Sequence, residues 1–344
     1  EILGIPVLLE RPAARLALEA LKSGEADRAL AAMLAPDRMG LLDRVALHAD
    51  RLLRGDRLAR ARASLRVGAF SFALRKRPFR SYRDALERLL LGRPSPEPEA
   101  FHYFFCRPSD PTFAVAEAVA SAVPRPGPVL DLCCGSGHVT RRLLAPGREV
   151  IGLDESFALL HLASRFLAPG ARYVCARADR PLPFGDRAFR SVFCSDALHD
   201  TGDPRGLARE TLRVLDEGGT AFFVHLHNPA FPHPYPGRSP MRTEEYASAF
   251  DGGDPRLLDE APILESWIAR RALDLGAAAP PEALSGSPTI ALLAGSRASD
   301  RAHSSAMPGR GRLCLAPLYD AAREGRGLRL DRRIPSETWA REYE

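Results

Sequence analysis

Apolar residues recur at spacings of three and four through the first 95 residues of the chain. This spacing places them on one face of a helix and predicts a series of amphipathic helices. The pairs Ser23-Gly24, Pro36-Asp37 and Gly55-Asp56, with Pro78, divide the series into about five helices of ordinary length. Residues 1–95 are therefore predicted to form a helical N-terminal region, with apolar runs at residues 16–21, 29–34, 41–53 and 82–91.

After a proline-rich stretch at residues 92–98, the pattern changes to short apolar runs that end in polar residues. Parallel strands buried on both faces have this pattern, whereas half-buried strands alternate. We therefore predict an α/β fold with a doubly wound, mostly parallel sheet over residues 113–296, preceded by a linker and aromatic segment at 96–112. The predicted strands lie at residues 129–132, 150–153, 172–176, 189–195, 220–225 and 289–295.

Residues 297–344 are predicted to form a C-terminal extension. Its first part, residues 297–310, is mostly polar and small. Residues 312–319 and 327–331 are predicted to pair as a hairpin around residues 321–326. The pattern indicates no chemistry for this pair, so packing is its default interpretation.

A carboxylate, Asp131, lies in the first predicted strand, and a loop of small residues at 133–137 follows that strand. Glycines let the backbone pass close to a bound molecule, and the next helix offers free N–H groups. A second apolar run ends in Asp154 and Glu155 about twenty residues later, where a doubly wound fold places its ribose-binding acid. This edge of the sheet is therefore predicted to bind a ligand.

The order of the later motifs identifies the cofactor. Asp179-Arg180 follows the third strand, residues 189–195 form the fourth, and a turn at 214–219 leads into the fifth. With these motifs, residues 127–230 resemble the class I S-adenosylmethionine-dependent methyltransferases, specifically the methyltransferase type 11 group that includes the ubiquinone-biosynthesis-like enzymes. The resemblance implies a Rossmann-like methyltransferase domain with S-adenosyl-L-methionine as its cofactor.

The resemblance also implies a set of cofactor-binding residues. The loop after Asp131 would surround the methionine part, Asp154 would hold the ribose hydroxyls, and Asp179 would meet the adenine edge. Two departures from the family pattern are Cys133, at the usual first glycine of the loop, and Arg190, where an aspartate commonly precedes the fourth strand. The full predicted set is Asp131, Leu132, Cys133, Gly135, Gly137, Asp154, Glu155, Asp179, Arg180 and Ser195.

A nicotinamide dinucleotide is the competing cofactor, because its fold also uses a glycine turn and an acid after the second strand. Its site needs a third glycine for close packing of the helix on the strand, and Thr140 occupies that position here. The dinucleotide interpretation also leaves Asp179 and the turn at 214–219 unexplained. The sequence therefore favours S-adenosylmethionine.

Methyl transfer requires alignment of the nucleophile and, for a hydroxyl or protonated amine, a base. His199 matches the leading histidine of a pair common in the family, and Asp200 replaces the second. His227 is the next candidate, and Tyr103 is the third. The aromatic segment 101–108 that contains Tyr103 either covers the methyl donor, whose sulfonium is attracted by ring faces, or packs the helices onto the sheet.

The composition of the chain limits the kinds of partner that it can bind and indicates its cellular location. Residues 1–95 carry 19 Lys+Arg and 11 Asp+Glu, but the charges interleave with apolar residues at helical spacing, which indicates a solvated helix face. The six cysteines show no C-x-x-C pair, so free thiols and no metal site are predicted. Since no apolar run is long enough to span a membrane and residues 1–9 contain no basic region before their short apolar run, we expect a cytoplasmic protein.

The predicted function is methyl transfer to an oxygen or nitrogen atom of a small molecule, with the N-terminal helices covering the substrate or forming a homodimer. Residues 195–198 lack the Asn/Asp-Pro-Pro-aromatic motif of adenine-methylating enzymes, and no proline precedes Cys194 as cytosine C5 enzymes require. Nucleic acid is therefore disfavoured as a partner. Two alternatives stay open: an RNA or protein methyltransferase that uses the basic helices, and a non-catalytic scaffold that binds the cofactor.

Overall fold

The computed structural model describes residues 1–35, 56–92, 98–109, 111–231, 240–269, 271–297, 301–302, 315 and 319–333. Its centre is a seven-stranded sheet with the order β3-β2-β1-β4-β5-β8-β6. These strands are β1 (Val129–Leu132), β2 (Val150–Asp154), β3 (Arg172–Cys175), β4 (Phe189–Ser195), β5 (Leu215–His227), β6 (Arg256–Asp259) and β8 (Thr289–Gly295).

The sheet is parallel from β3 through β5, and β8 is antiparallel to both of its neighbours, β5 and β6. The predicted α/β class and mostly parallel sheet are confirmed. The chain order reverses at β1, which pairs with β2 on one side and β4 on the other. In open α/β sheets a ligand crevice forms at such a reversal, outside the carboxyl ends of the strands.

Helices cover both faces of the sheet. Pro111–Ser121, His138–Leu143 and Glu260–Ile268 contribute to an apolar core on one face. Pro204–Val214 and Thr243–Ala249 contribute to a second core on the other. Burial on both faces explains why the parallel strands read as continuous apolar runs.

The N-terminal region is helical, as predicted, with described helices at Pro12–Lys22, Ala26–Leu34, Asp56–Lys76 and Tyr82–Leu86, the last continuing as a π-helical turn, Glu87–Leu91. The predicted run at residues 41–53 lies outside the described residues. Ahead of the helices, the backbones of Pro6 and Leu8 bond to Cys175 and so extend the β3 edge of the sheet. None of the helices in the described part of the chain is both long enough and apolar enough to cross a membrane.

Three predictions of element boundaries were wrong. β5 begins at Leu215, where a turn was predicted, and continues to His227. β6 was missed, because four residues give too short an apolar run to stand out. The C-terminal hairpin exists, but its strands are β10 (Tyr319–Glu324) and β11 (Gly327–Arg332), so the first strand lies further along the chain than residues 312–319. The remaining short strands, β7 (Leu273–Asp274) and β9 (Arg301–Ala302), pair with each other.

Candidate active site

A cavity of about 600 Å³ lies at the carboxyl edge of the sheet, at the reversal of strand order. Its floor is formed by the ends of β1, β2 and β4, and helix Pro98–Cys106, here called the cover helix, closes one side. The same cavity is lined by two of the predicted carboxylates, Asp154 and Asp179. One space therefore joins residues from the cover helix and from the ends of the four strands β1 to β4.

The loop after β1 adopts the conformations that its sequence predicts. Gly135 and Gly137 have φ values of +53° and +86°, and Cys133 has a φ of +54°. The positive φ of Cys133 explains why a glycine is usual there, since glycine adopts this region without steric cost. Cys133 and Gly135 line the cavity, whereas Gly137 caps the following helix, where an added Cβ would lie 2.8 Å from the Ala163 side chain.

Asp154 lies at the end of β2 and faces the cavity. The backbone N–H of Gly135 donates to its Oδ2 at 2.9 Å, and that of Ser156 donates to its Oδ1 at 2.8 Å. Burial raises the pKa of Asp154, and these two donors oppose the shift. Glu155 lines the same wall and pairs with Arg11 at 2.7 Å, which connects the N-terminal segment to the site.

The other predicted cofactor-binding residues divide into two groups. Asp179 and Ser195 line the cavity, and Arg177 donates to Asp179 Oδ1 at 2.7 Å. Arg180 is exposed and lies outside the cavity lining, and Leu132 is fully buried. Asp131 lies beneath the loop, where Thr140 Oγ1 donates to it at 2.5 Å and burial raises its pKa to about 7.

A hydrogen-bond network holds the cover helix over the loop. The Tyr82 hydroxyl lies 2.8 Å from Ser136 Oγ and 3.2 Å from His138 Nε2. His138 Nε2 in turn lies 2.9 Å from the carbonyl oxygen of Phe104. Burial lowers the pKa of His138 to about 4, so its ring is neutral at neutral pH. The network thus connects the N-terminal helices, the loop and the cover helix.

The aromatic segment divides between the cavity and the helical core. Tyr103 and Phe104 face the cavity. Phe101 stacks on Phe105 and packs into the core of the N-terminal helices. The segment therefore supplies part of the cavity wall and part of a helical core.

Asp196, which follows β4 directly, lines the cavity and is the centre of a buried polar cluster. Its Oδ2 accepts from the Tyr103 hydroxyl at 2.9 Å and from Arg107 Nη2 at 3.3 Å. Its Oδ1 lies 3.5 Å from His227 Nε2 and 3.6 Å from His199 Nε2. Burial alone would raise the pKa of Asp196, but the surrounding histidines and Arg107 hold it well below its usual value.

The three predicted catalytic residues lie around this aspartate. Tyr103 faces the cavity, whereas His199 and His227 are not among the lining residues and face Asp196 instead. The His199 side chain is fully buried and that of His227 is 11% exposed. Sequence reasoning missed the central position of Asp196, although its place directly after a strand end was a usable signal. It also missed Arg107 and His225, whose proximity depends on the fold.

Comparison with known proteins agrees with this geometry. Residues 130–223 match a family model described as a methyltransferase domain. An uncharacterised methyltransferase of Synechocystis is 40% identical over 104 residues, which cover 30% of this chain and 48% of that protein. A 2-phytyl-1,4-naphtoquinone methyltransferase of Synechococcus elongatus is 35% identical over 123 residues, which cover 33% and 53%. The chain thus spans about half the length of the curated relatives that it matches.

A solved S-adenosylmethionine-dependent methyltransferase from Mesorhizobium loti is 20% identical and superposes with a TM-score of 0.38, over 52% of this chain and 97% of that one. The predicted family rests on the domain match, on the sequence relatives and on the sheet order, and it is confirmed. The chain contains a class I S-adenosylmethionine-dependent methyltransferase domain.

Proposed function

We propose that the protein transfers a methyl group from S-adenosylmethionine to an oxygen or nitrogen atom of a small molecule. The observation that carries the proposal is the cavity of about 600 Å³, which is lined by Asp154 and Asp179 and also by Tyr103 and Asp196. This volume lies in the range of small-molecule sites. Relatives named as methyltransferases of demethylmenaquinone and of a phytyl naphthoquinone support a small-molecule acceptor.

The residues around the cavity fit the cofactor. Asp154 would accept hydrogen bonds from the ribose hydroxyls, because its two backbone donors fix the orientation of the carboxylate. Asp179 would meet the adenine edge, and the rings of Tyr103 and Phe104 offer faces to a sulfonium cation. When bound, S-adenosylmethionine supplies a methyl group that its sulfonium already activates.

The acceptor would occupy the end of the cavity near Tyr103 and Asp196. In the proposed arrangement Tyr103 contacts the acceptor, and Asp196 fixes the orientation of its hydroxyl through the hydrogen bond of 2.9 Å. His199 and His227 act through Asp196, since their rings face its Oδ1 rather than the cavity. The chain's contribution is thus mainly alignment and exclusion of water.

Cofactor binding is tested by titration calorimetry. We expect the parent chain to bind S-adenosylmethionine, and Asp154→Ala to weaken binding by about 1–3 kcal/mol, the scale of a hydrogen bond to a charged group. Asp154→Asn, which keeps the shape of the side chain, should also bind more weakly. Asp251→Ala is the control, because Asp251 is exposed and outside the cavity lining. Uptake of a nicotinamide dinucleotide in place of S-adenosylmethionine would refute the proposal.

The acceptor class is tested with cofactor carrying a labelled methyl group. The protein is incubated with a metabolite extract, with RNA and with protein in separate reactions. We expect the label in the metabolite fraction. Label in RNA or protein would contradict the small-molecule acceptor, and no transfer to any fraction would favour a protein that binds the cofactor without methylating.

A further inference from the structure

Three side chains at the polar cluster around Asp196 meet at distances that suit the ligands of one metal ion. Asp196, His225 and His227 each bring one potential ligand atom into a group in which all atoms lie within 4.8 Å of one another. The distance from Asp196 Oδ1 to His227 Nε2 is 3.5 Å, which is longer than an ordinary hydrogen bond. It is close to the edge of a tetrahedron with metal–ligand bonds of 2.0–2.1 Å, about 3.3–3.4 Å.

His225 supplies an independent indication of a ligand. Its ring is buried, and its Nε2 has no hydrogen-bond partner among the described residues. Leaving such an atom unpaired in the interior is unfavourable. Its other ring nitrogen, Nδ1, lies 3.5 Å from Oε2 of the buried Glu260, whose Oε1 accepts from the backbone N–H of His225. A carboxylate behind the far nitrogen is the usual arrangement for a histidine that binds a metal.

The backbone at the cluster is also unusual. Asp196 and His225 both have left-handed conformations, with φ values of +54° and +57°. Such conformations are costly for residues other than glycine, and they concentrate at functional sites. The pairing of Ser195 with Val224 places these two residues side by side, and the β5–β8 register shifts between Phe223 and Leu226. The fold thus holds both side chains in orientations that regular strands would not give.

We propose that Asp196, His225 and His227 bind one divalent transition-metal ion of the Zn²⁺ type. Two imidazoles and one carboxylate form a donor set typical of catalytic zinc, with a further position open to solvent or to an acceptor. Asp196 would use Oδ1, because Tyr103 and Arg107 hold Oδ2. Since Asp196 lines the cavity, the ion would lie at the cavity wall. The site does not depend on the identity of the cofactor.

His199 and Glu260 would be positioning residues for this ion. His199 Nε2 lies 3.6 Å from Asp196 Oδ1, and its ring packs edge-on against that of His227 at 4.6 Å between centroids. Glu260 would orient His225. Arg107 beside Asp196 and Glu260 beside His225 have side chains of opposite charge type, so the charge of the ion would be compensated chiefly by Asp196.

The experiment uses the full chain, stripped with a chelator and then titrated with Zn²⁺ and, separately, with Co²⁺. We expect one equivalent of metal to bind, and the Co²⁺ form to show the intense visible absorption of a site with low coordination number. Asp196→Asn and His227→Gln should abolish the stoichiometric binding. Glu260→Gln should weaken it 10–100-fold, the usual effect of losing a carboxylate behind a ligand.

His161→Gln is the matched control, because His161 is buried but packs near Phe79, away from the cluster. It should keep the parent's affinity. Circular dichroism and the Tm of each stripped variant show whether it is folded, and folded variants that still bind one equivalent at the parent's affinity would overturn the proposal. A folded parent that binds neither Zn²⁺ nor Co²⁺ would overturn it as well.

Discussion

At the scale of single residues, the fold gives different surroundings to two carboxylates that have similar positions in the sequence pattern. Asp131 and Asp154 both come from predicted strands and were both assigned to the cofactor. Asp154 faces the cavity, whereas Asp131 is 1% exposed and bonded to Thr140 beneath the loop. Asp131 therefore supports the loop from beneath, and the proposed cofactor contact belongs to Asp154.

The burial of Asp131 predicts a pH dependence of stability. Burial raises its pKa from 3.8 to about 7, so the folded chain retains a proton between these values that the unfolded chain releases. Because the folded state binds more protons there, this group makes the free energy of unfolding fall as pH rises from about 4 to about 7. Asp131→Asn has no such titration, and its amide oxygen still accepts from Thr140.

We therefore expect Asp131→Asn to gain stability relative to the parent between pH 5 and pH 8, by at least about 1.4 kcal/mol, the equivalent of one pKa unit. Urea denaturation of both proteins at the two pH values measures the difference, in which all other titrating groups cancel. Parallel stability curves for parent and variant would contradict the prediction.

At the scale of elements, the cover helix is held over the loop by a few polar contacts in addition to the packing of Phe101 and Phe105. The Tyr82 hydroxyl contacts Ser136 in the loop, and it also donates to the carbonyl oxygen of Phe104 at 3.3 Å. Burial raises the pKa of Tyr82, so the hydroxyl stays protonated. One side chain from the N-terminal region therefore fixes both walls of the cavity.

Removing that hydroxyl in Tyr82→Phe should weaken S-adenosylmethionine binding about 2–10-fold, as expected for one or two neutral hydrogen bonds. Calorimetric titration gives the Kd. Tyr173→Phe is the control, because its buried hydroxyl donates to the Ala168 carbonyl at 2.8 Å, away from the cover helix. Equal affinity in Tyr82→Phe and the parent would show that the network does not position the site.

At the scale of the whole molecule, the N-terminal helices and the sheet share a core. Ile5, Ala17 and Leu86 belong to the same apolar cluster as Leu160 and Cys175 of the α/β part. Helix Ala26–Leu34 also contacts helix Phe157–Leu162, which follows β2. A shared core of this kind predicts that the two parts unfold together.

Leu160→Ala tests this coupling, since Leu160 is fully buried in the shared cluster. We expect a loss of about 2–5 kcal/mol, typical of a large-to-small change in a core, with a single calorimetric transition at lower temperature. Leu18→Ala, at a position that is 53% exposed, should change the Tm little. Two separate transitions, of which only one moves in Leu160→Ala, would contradict a shared core.

The sequence alone determined the class of fold and the position of Asp154 at the edge of the sheet where the cavity lies. Strands buried on both faces must be continuously apolar, so their runs were visible, and Asp154 was identifiable because it ends such a run. The loop was also identifiable from the sequence, because its glycines adopt positive φ values that other residues rarely adopt. The element boundaries that failed, in β5, β6 and the hairpin, depend on which strands pair, and local patterns do not encode pairing.

Only the tertiary structure decided the polar cluster around Asp196. Asp196, His225 and His227 meet because β4 and β5 pair with Ser195 opposite Val224, and Arg107 and Glu260 come to them from helices on separate parts of the chain. His225 and His227 are neighbours on β5, but sheet register and helix packing bring them to Asp196, Arg107 and Glu260, which lie about 30 to 120 positions away along the chain. Local spacing does not encode these contacts, so the sequence alone does not indicate the cluster.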